Sequence, residues 1–409
     1  MSTSTAAPRP KCRHFGTCGS CDRLDQPYPQ QLLQRRDAVA RVLHEVLGDI
    51  ELECELPPST PLQTRIKLSW PIAVDGTGRA SLGMYARGSH ELVPITECRL
   101  QDGALTRLAL RAQQLFRDLR LPVAQREAAE GALRAFHARI LPGTRELLLG
   151  VTTRGGRFPA GARLAQELGE SVRGLRDRRG RPLQCVGVVR SLRDEVDNTL
   201  LGDRHVPLLG RDYQFAELAG QRLRVSFGSF WQNHAEAERI LYRRAMDLLG
   251  EVRGLRVIDG YGGVGAFASL LAAAGAKEVT VVESSRTAVA DARHNAALSP
   301  ANVVHVESAP FANSTLSGPV DLVIVDPPRK GLEAAGVARL LAWRPTRILY
   351  VACSAQAQAR DLQPVLAAGY RPRRAAMVDL FPHTAHAETL ILLDSTRALS
   401  RAEPCPNGS

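Results

Sequence analysis

Apolar and polar positions follow different periods in different parts of the chain. From Tyr28 to Leu47, Leu32, Leu33, Val39, Val42, Leu43 and Val46 recur at helical spacing and Gly48 ends the run, which predicts one amphipathic helix. From about Arg65 to Thr96 the segments IKLSWPIAV, SLGMYARG and HELVPI alternate in strand fashion around Asp-Gly and Arg-Gly turns. Residues 101–140 return to a helical period, and residues 145–220 mix short strand runs with Gly-rich turns.

After Phe227 the period changes again. A helix over 235–249 is followed by strands at GLRVIDG, KEVTVVES, DLVIVDPP and TRILYVACS, with helical segments between them over about 266–274, 286–297, 332–342 and 356–367. Strands alternating with helices at this spacing predict βαβ units and a parallel, doubly wound sheet. Two apolar runs in AAMVDLFPHTAHAETLILLD predict an antiparallel hairpin at the edge of that sheet. The expected fold class is α/β: a Rossmann-like domain over 221–394, preceded by an α+β part. That part divides into a cysteine-bearing region with the first helix and a β segment (12–100) and a central α+β region (101–220). Residues 1–11 read as a flexible leader and 395–409 as a flexible tail.

Length and composition agree with this division. At roughly 150 residues per domain, 409 residues predict two or three domains, and 44% apolar with 23% charged residues is a globular composition. The most apolar run, Ala266–Ala276, is too short to span a bilayer, and MSTSTAAPRPK carries no apolar signal core. A cytoplasmic protein with no membrane segment is therefore expected. Lys+Arg minus Asp+Glu is 53 − 42 = +11, and 53 less four lysines leaves 49 arginines. Such an excess favours a polyanion, because neutralising phosphates releases counterions, and the Arg fork suits phosphates and base edges. GC-rich codon usage would also raise Arg and Ala together, so charge alone leaves nucleic acid as one of two readings. In 101–220, 20 Arg face 14 acidic residues, with LRDRRGRPL (175–183) the densest basic loop.

The chemistry-bearing residues concentrate at strand ends. VIDGYGGVG (257–265) follows a strand and opens a helix, so its glycines let backbone N–H groups approach an anionic ligand group. Glu283 ends the next strand, where a carboxylate accepts hydrogen bonds from a ribose diol. The D-x-x-x-G-x-G spacing differs from the dinucleotide fingerprint and matches S-adenosylmethionine methyltransferases. Asp259, Glu283, Asp326 and Cys353 all fall at carboxyl strand ends, and Glu388 starts an antiparallel strand at the same edge. Uracil C5 is too weak a nucleophile to attack a methyl sulfonium unaided. A thiolate added to C6 makes C5 electron-rich, and a base must then take the C5 proton so that the thiolate can leave. Cys353 and Glu388 supply that pair, although a lone strand-end thiol is more often inert. Asp-Pro-Pro-Arg (326–329) lacks the aromatic that amino-methylating enzymes place after the prolines.

These residues resemble the RNA 5-methyluridine methyltransferases. The resemblance runs through SFGSFWQN (226–233), VIDGYGGVGAF (257–267), DPPRKG (326–331), YVACS (350–354) and VDLFPHTAHAETLILL (378–393). It implies Cys353 as nucleophile and Glu388 as base, with Gln232, Tyr261, Glu283 and Asp326 contacting S-adenosylmethionine and Asp326 also serving the uracil edge. Gly262-Gly263 stands where the family usually has Cys-Gly, and Cys353-Ser354-Ala355 where it has Cys-Asn-Pro.

Eight cysteines in an unexported chain are expected to be reduced. Cys12, Cys18 and Cys21 form C-x5-C-x2-C, a spacing that suits zinc and an iron–sulfur cluster equally. The resemblance implies a [4Fe–4S] cluster held by Cys12, Cys18, Cys21 and Cys98. Cys54, Cys185 and Cys405 are left as ordinary thiols. The chain is further expected to belong to the iron–sulfur branch, to lack the OB-like TRAM domain that some relatives carry and to act on 23S rRNA rather than tRNA, with a monomer as the default. Two rivals remain: a tRNA-directed enzyme of the same kind, and a non-catalytic iron–sulfur RNA-binding or assembly factor.

Overall fold

The structure is a computed structural model and describes residues 11–55, 60–124, 130–195, 199–299 and 302–396. Nearly all of the expected leader and tail, with Cys405, lies outside the described residues. Helix α1 (Tyr28–Leu47) forms where the apolar spacing places it, with Pro29 in the first turn, where its missing N–H costs nothing. Its buried stripe is Gln31, Leu32, Arg35, Val39 and Leu43, so two polar residues point inward, whereas Leu33 is 51% exposed. A short strand, β1 (Leu52–Glu55), follows.

The middle of the chain builds a seven-stranded sheet in the order β4-β3-β2-β5-β6-β7-β8. Its strands are β2 (Lys67–Val74), β3 (Ala80–Tyr85), β4 (Leu92–Pro94), β5 (Leu133–Ile140), β6 (Glu146–Thr153), β7 (Gln184–Leu192) and β8 (Arg204–Gly210). Helices α2 (Gly103–Asp118) and α3 (Gly161–Glu170) cover it, burying Leu108, Phe116 and Leu164 against Phe136 and Leu149. The Asp102 side chain accepts the Ala104 N–H at 2.8 Å, capping α2. Only β6–β7 is a parallel pair, and α3 is its crossover. The helical reading of 101–140 holds for α2 and fails for β5, which is buried at every position but Arg134, so that its buried His137 and Arg139 hide the period of two. A hairpin, β9 (Tyr213–Leu218) and β10 (Gln221–Ser226), stands apart from both sheets.

The C-terminal unit is an eight-stranded sheet. After a π-helical turn (Glu238–Tyr242) and α4 (Arg243–Leu249) come β11 (Arg256–Gly260), α5 (Ala266–Ala273), β12 (Glu278–Glu283), α6 (Arg286–Ala296), β13 (Val304–Ser308), β14 (Leu322–Val325), α7 (Glu333–Trp343), β15 (Arg347–Ala352), α8 (Ala355–Ala367), β16 (Tyr370–Val378) and β17 (Glu388–Ser395). The order is β1-β16-β17-β15-β14-β11-β12-β13; β11 to β15 run parallel, and β17 runs antiparallel between β15 and β16. The expected doubly wound sheet is therefore present. The hairpin, however, is not its edge: β1 pairs parallel with β16, Leu52 opposite Ala375, and α1 packs on α8. The first helix and strand, assigned from sequence to the cysteine-bearing region, cover the C-terminal sheet instead. An open β16 edge and a bare α8 face need such cover, and a four-residue strand gives no local sign of so distant a partner. Among the described residues no helix is long and apolar enough to cross a membrane.

Candidate active site

Strand register places the expected groups at one end of the sheet. Gly260 lies beside Val282 and Val325, Val325 beside Tyr350, and Ala352 opposite Thr389, so the residues that follow Val325 and Ala352 and the one that precedes Thr389 open onto the same carboxyl edge. Open α/β sheets bind ligands there. The loop after β11 turns sharply: Tyr261 has φ +59° and Gly263 φ +56°. The Tyr261 ring stacks on Phe311 at 5.1 Å between centroids, and Phe311 stands edge-on to Trp343. Glu283 is aimed into the loop, its Oε2 accepting from Gly263 N–H at 3.0 Å and its Oε1 from the Ser284 and Ser285 N–H groups at 2.7 Å each. Asp259 is buried and accepts the Ala268 N–H at 3.1 Å; burial, over that bond, pushes its carboxyl up to about 7.

The second half of the crevice is a thiol among acids. Cys353 is half-buried, one step past β15, and Glu388, 2% exposed, is the first residue of β17. Burial and then the Glu388 and Asp326 charges raise the Cys353 thiol above its ordinary value, while the Arg329 guanidinium lowers it. Burial and then Asp326 hold Glu388 well above the usual carboxylate range, and burial raises Asp326 to about 7. Like charges in one low-dielectric place resist ionising together. Tyr242, at the end of the π-helical turn, escaped the sequence reading; its phenol is raised by burial and then by Asp326, Asp259 and Glu388, which puts it among the same acids. The only available signal was its place beside the SFGSFWQN segment. Gln232 is buried in that segment, and its neighbour Asn233 accepts the Ile66 and Lys67 N–H groups, tying the segment to β2.

Cys12, Cys18, Cys21 and Cys98 line one cavity of about 340 Å³, together with Arg65, Lys67 and Trp231. Burial raises Cys18 and pushes Cys21 up to about 12, and Arg65 opposes both shifts. Among the described residues, no group of three or more His, Cys, Asp or Glu side chains is arranged to hold a metal ion. The four expected ligands are gathered, then, but not in metal-bonding geometry. Cys185 lies apart from them, half-buried on β7 beside Gly187.

The family profile described as tRNA (uracil-5-)-methyltransferase matches residues 316–396, the stretch that carries Asp326, Cys353 and Glu388. An uncharacterised RNA methyltransferase of Thermosynechococcus vestitus is 31% identical over 401 residues, covering 95% of this chain and 84% of that one. One of Geobacter sulfurreducens is 30% identical over 393 residues, covering 94% and 77%. Among solved structures, the Pyrococcus abyssi tRNA (uracil-54, C5)-methyltransferase in complex with S-adenosyl-L-homocysteine superimposes with a TM-score of 0.69 at 25% identity, over 90% of this chain and 83% of that one. With its fold, the set of acids around Cys353 and these relatives taken together, the chain belongs to the S-adenosylmethionine-dependent RNA (uracil-5-)-methyltransferase family.

Proposed function

We propose that the protein methylates C5 of a uridine in RNA through a covalent adduct between the Cys353 sulfur and C6 of the base. The observation that supports it is that β15 ends and β17 begins at one edge, where Glu388, Asp326 and Arg329 all act on the Cys353 thiol. The ionised sulfur bonds to C6, and the C5=C6 electron pair moves toward the C4 oxygen. The sulfonium of S-adenosylmethionine supplies an electrophilic methyl group, which C5 takes as the sulfonium carbon–sulfur bond breaks. Glu388 then accepts the C5 proton, the C5=C6 bond re-forms and the Cys353 sulfur departs. Arg329 favours the thiolate, and Asp326 serves the uracil edge. Tyr261, Glu283 and Gln232 hold the cofactor; Glu283 is already oriented by three backbone N–H groups and keeps acceptor capacity for a ribose diol. The uridine has to leave its stack to bring C5 and C6 to this depth.

A [4Fe–4S] cluster on Cys12, Cys18, Cys21 and Cys98 belongs to the same reading. Four soft donors around one cavity suit zinc and a cluster alike; the family resemblance favours the cluster, which would staple the start of the chain to the β4–α2 connection. Protein purified without oxygen is expected to carry iron and sulfide in nearly equal amounts; zinc in their place would overturn the assignment. The expected RNA is 23S rRNA. Mass mapping of rRNA and tRNA from cells lacking the gene should show one missing methyl on a 23S uridine, and loss from tRNA instead would move the target. The reaction itself is tested with RNA carrying tritium at uridine C5: turnover releases tritium to water, and none is released by a protein that only binds RNA.

A further inference from the structure

The loop that leads into Glu388 is gripped by the N-terminal helix. Residues 379–387 connect β16 to β17, and Arg35 of α1 reaches both legs of that connection. Its guanidinium donates to Asp379 through Nη1 (2.8 Å) and Nη2 (2.6 Å) on the incoming leg. The same Nη1 donates to the carbonyls of Phe381 and of His386, each at 3.1 Å, the latter two residues before Glu388. The Tyr28 hydroxyl donates to the second Asp379 oxygen at 2.5 Å. Arg35 and Asp379 are each 1% exposed. One turn earlier, Gln31 lies 3.1 Å from the His383 ring, and the backbone N–H groups of Asp22 and Arg23, the residues after Cys21, both donate to the His383 carbonyl. His383 itself is held at φ +62°, a conformation a β-carbon disfavours.

A buried ion pair is a weak device for stability, since apolar residues of similar volume often serve as well. What a planar, bidentate fork supplies is position. Here it fixes the separation of two loop legs at the point where the second becomes Glu388. We propose that Arg35, with Tyr28, is a positioning residue for removal of the C5 proton: it sets the Glu388 carboxylate against the methylated adduct and takes no part in forming that adduct. The inference rests on Glu388 being the base, as read above.

The two halves of the reaction separate experimentally. The full-length protein is given deproteinised rRNA from cells lacking the gene, grown on uracil tritiated at C5, with S-adenosylmethionine labelled in the methyl group. Methyl incorporation reads the steps up to transfer, and tritium release reads proton removal. Arg35→Lys is expected to leave single-turnover methyl incorporation within twofold of the parent and to slow tritium release at least tenfold, with a denaturant-resistant protein–RNA adduct accumulating, as is also expected for Glu388→Gln. Tyr28→Phe keeps the ion pair and removes one hydroxyl, so it reports even where the Arg35 variant does not fold; a threefold slowing of release alone is expected. Release at the parental rate in both variants, or equal loss of incorporation and release, would overturn the positioning role. Failure of Glu388→Gln itself to retain methylated adduct would instead overturn the reading of Glu388 as base.

Discussion

Cys353 follows Ala352 and Glu388 precedes Thr389, the last pair of the β15–β17 ladder, and the Glu388 charge acts on the Cys353 thiol. Groups at adjoining strand ends lie within reach of one small ring, which is what the proposed roles of Cys353 as nucleophile and Glu388 as base require. Replacing Cys353 by Ala is expected to lower methyl transfer more than about a thousandfold, while the dissociation constant of S-adenosylhomocysteine, measured by calorimetry, stays within about twofold. Retained activity would place the chemistry elsewhere.

Proton binding in the crevice predicts the pH profile. The thiol lies above its ordinary value, Asp326 is pushed up to about 7 and Glu388 well above the carboxylate range, and the proposed reaction needs the thiol and Glu388 ionised. Activity under subsaturating cofactor should therefore climb as pH rises from 6 to 9. Arg329→Gln removes the charge that lowers the thiol and should move the climb to higher pH. A flat profile over that range, in either protein, would contradict the assignment.

Asp259 gives a stability test free of catalysis. In the folded chain it holds its proton up to about pH 7, whereas its ordinary value is 3.8. Between those values the folded state binds the extra proton, so this group's contribution makes stability fall as pH rises through the window. Asp259→Asn keeps an acceptor for the Ala268 N–H and abolishes the ionisation. It should gain about 1–3 kcal/mol at pH 8 and nothing at pH 4 in cofactor-free protein unfolded with urea. A gain that is equal at both pH values would refute the burial argument.

Gly260 tests the cofactor loop. A β-carbon there would run into the Phe311 ring, the ring on which Tyr261 stacks. Gly260→Ala is expected to cost about 1–3 kcal/mol of stability and to weaken S-adenosylhomocysteine binding at least tenfold in calorimetric titration. Unchanged affinity would mean that Tyr261 does not line the cofactor site.

Much of this was legible in the chain itself, for a local reason. Asp259, Glu283 and Cys353 are read from short, mostly apolar strand runs that stop at or just before a chemistry-bearing residue, a pattern that a buried parallel sheet imposes. Arg35 was not legible as a buried residue. It sits three residues after Leu32 and four before Val39, on the apolar stripe of α1, but a charged side chain is seldom fully buried without a partner. Its partner Asp379 lies far along the chain, and nothing in a local period reports such a partner. The same holds for β1, and for α3, whose ten residues are flanked by Gly-rich turns that mask the helical period.

The place of β1 bears on how the molecule is made. During synthesis β1, an outermost strand of the C-terminal sheet, leaves the ribosome before almost everything it will touch, and it must wait for Ala375–Val378 before it finds a ladder. So must Arg35 wait for Asp379. The middle sheet, whose strands lie close together in the chain, can settle in the interval, and non-local closures of this kind form slowly. Nascent-chain lengths that stop short of β16 should accordingly hold a compact central unit flanked by a protease-sensitive start, and protection of that start should appear only once the final hairpin has emerged.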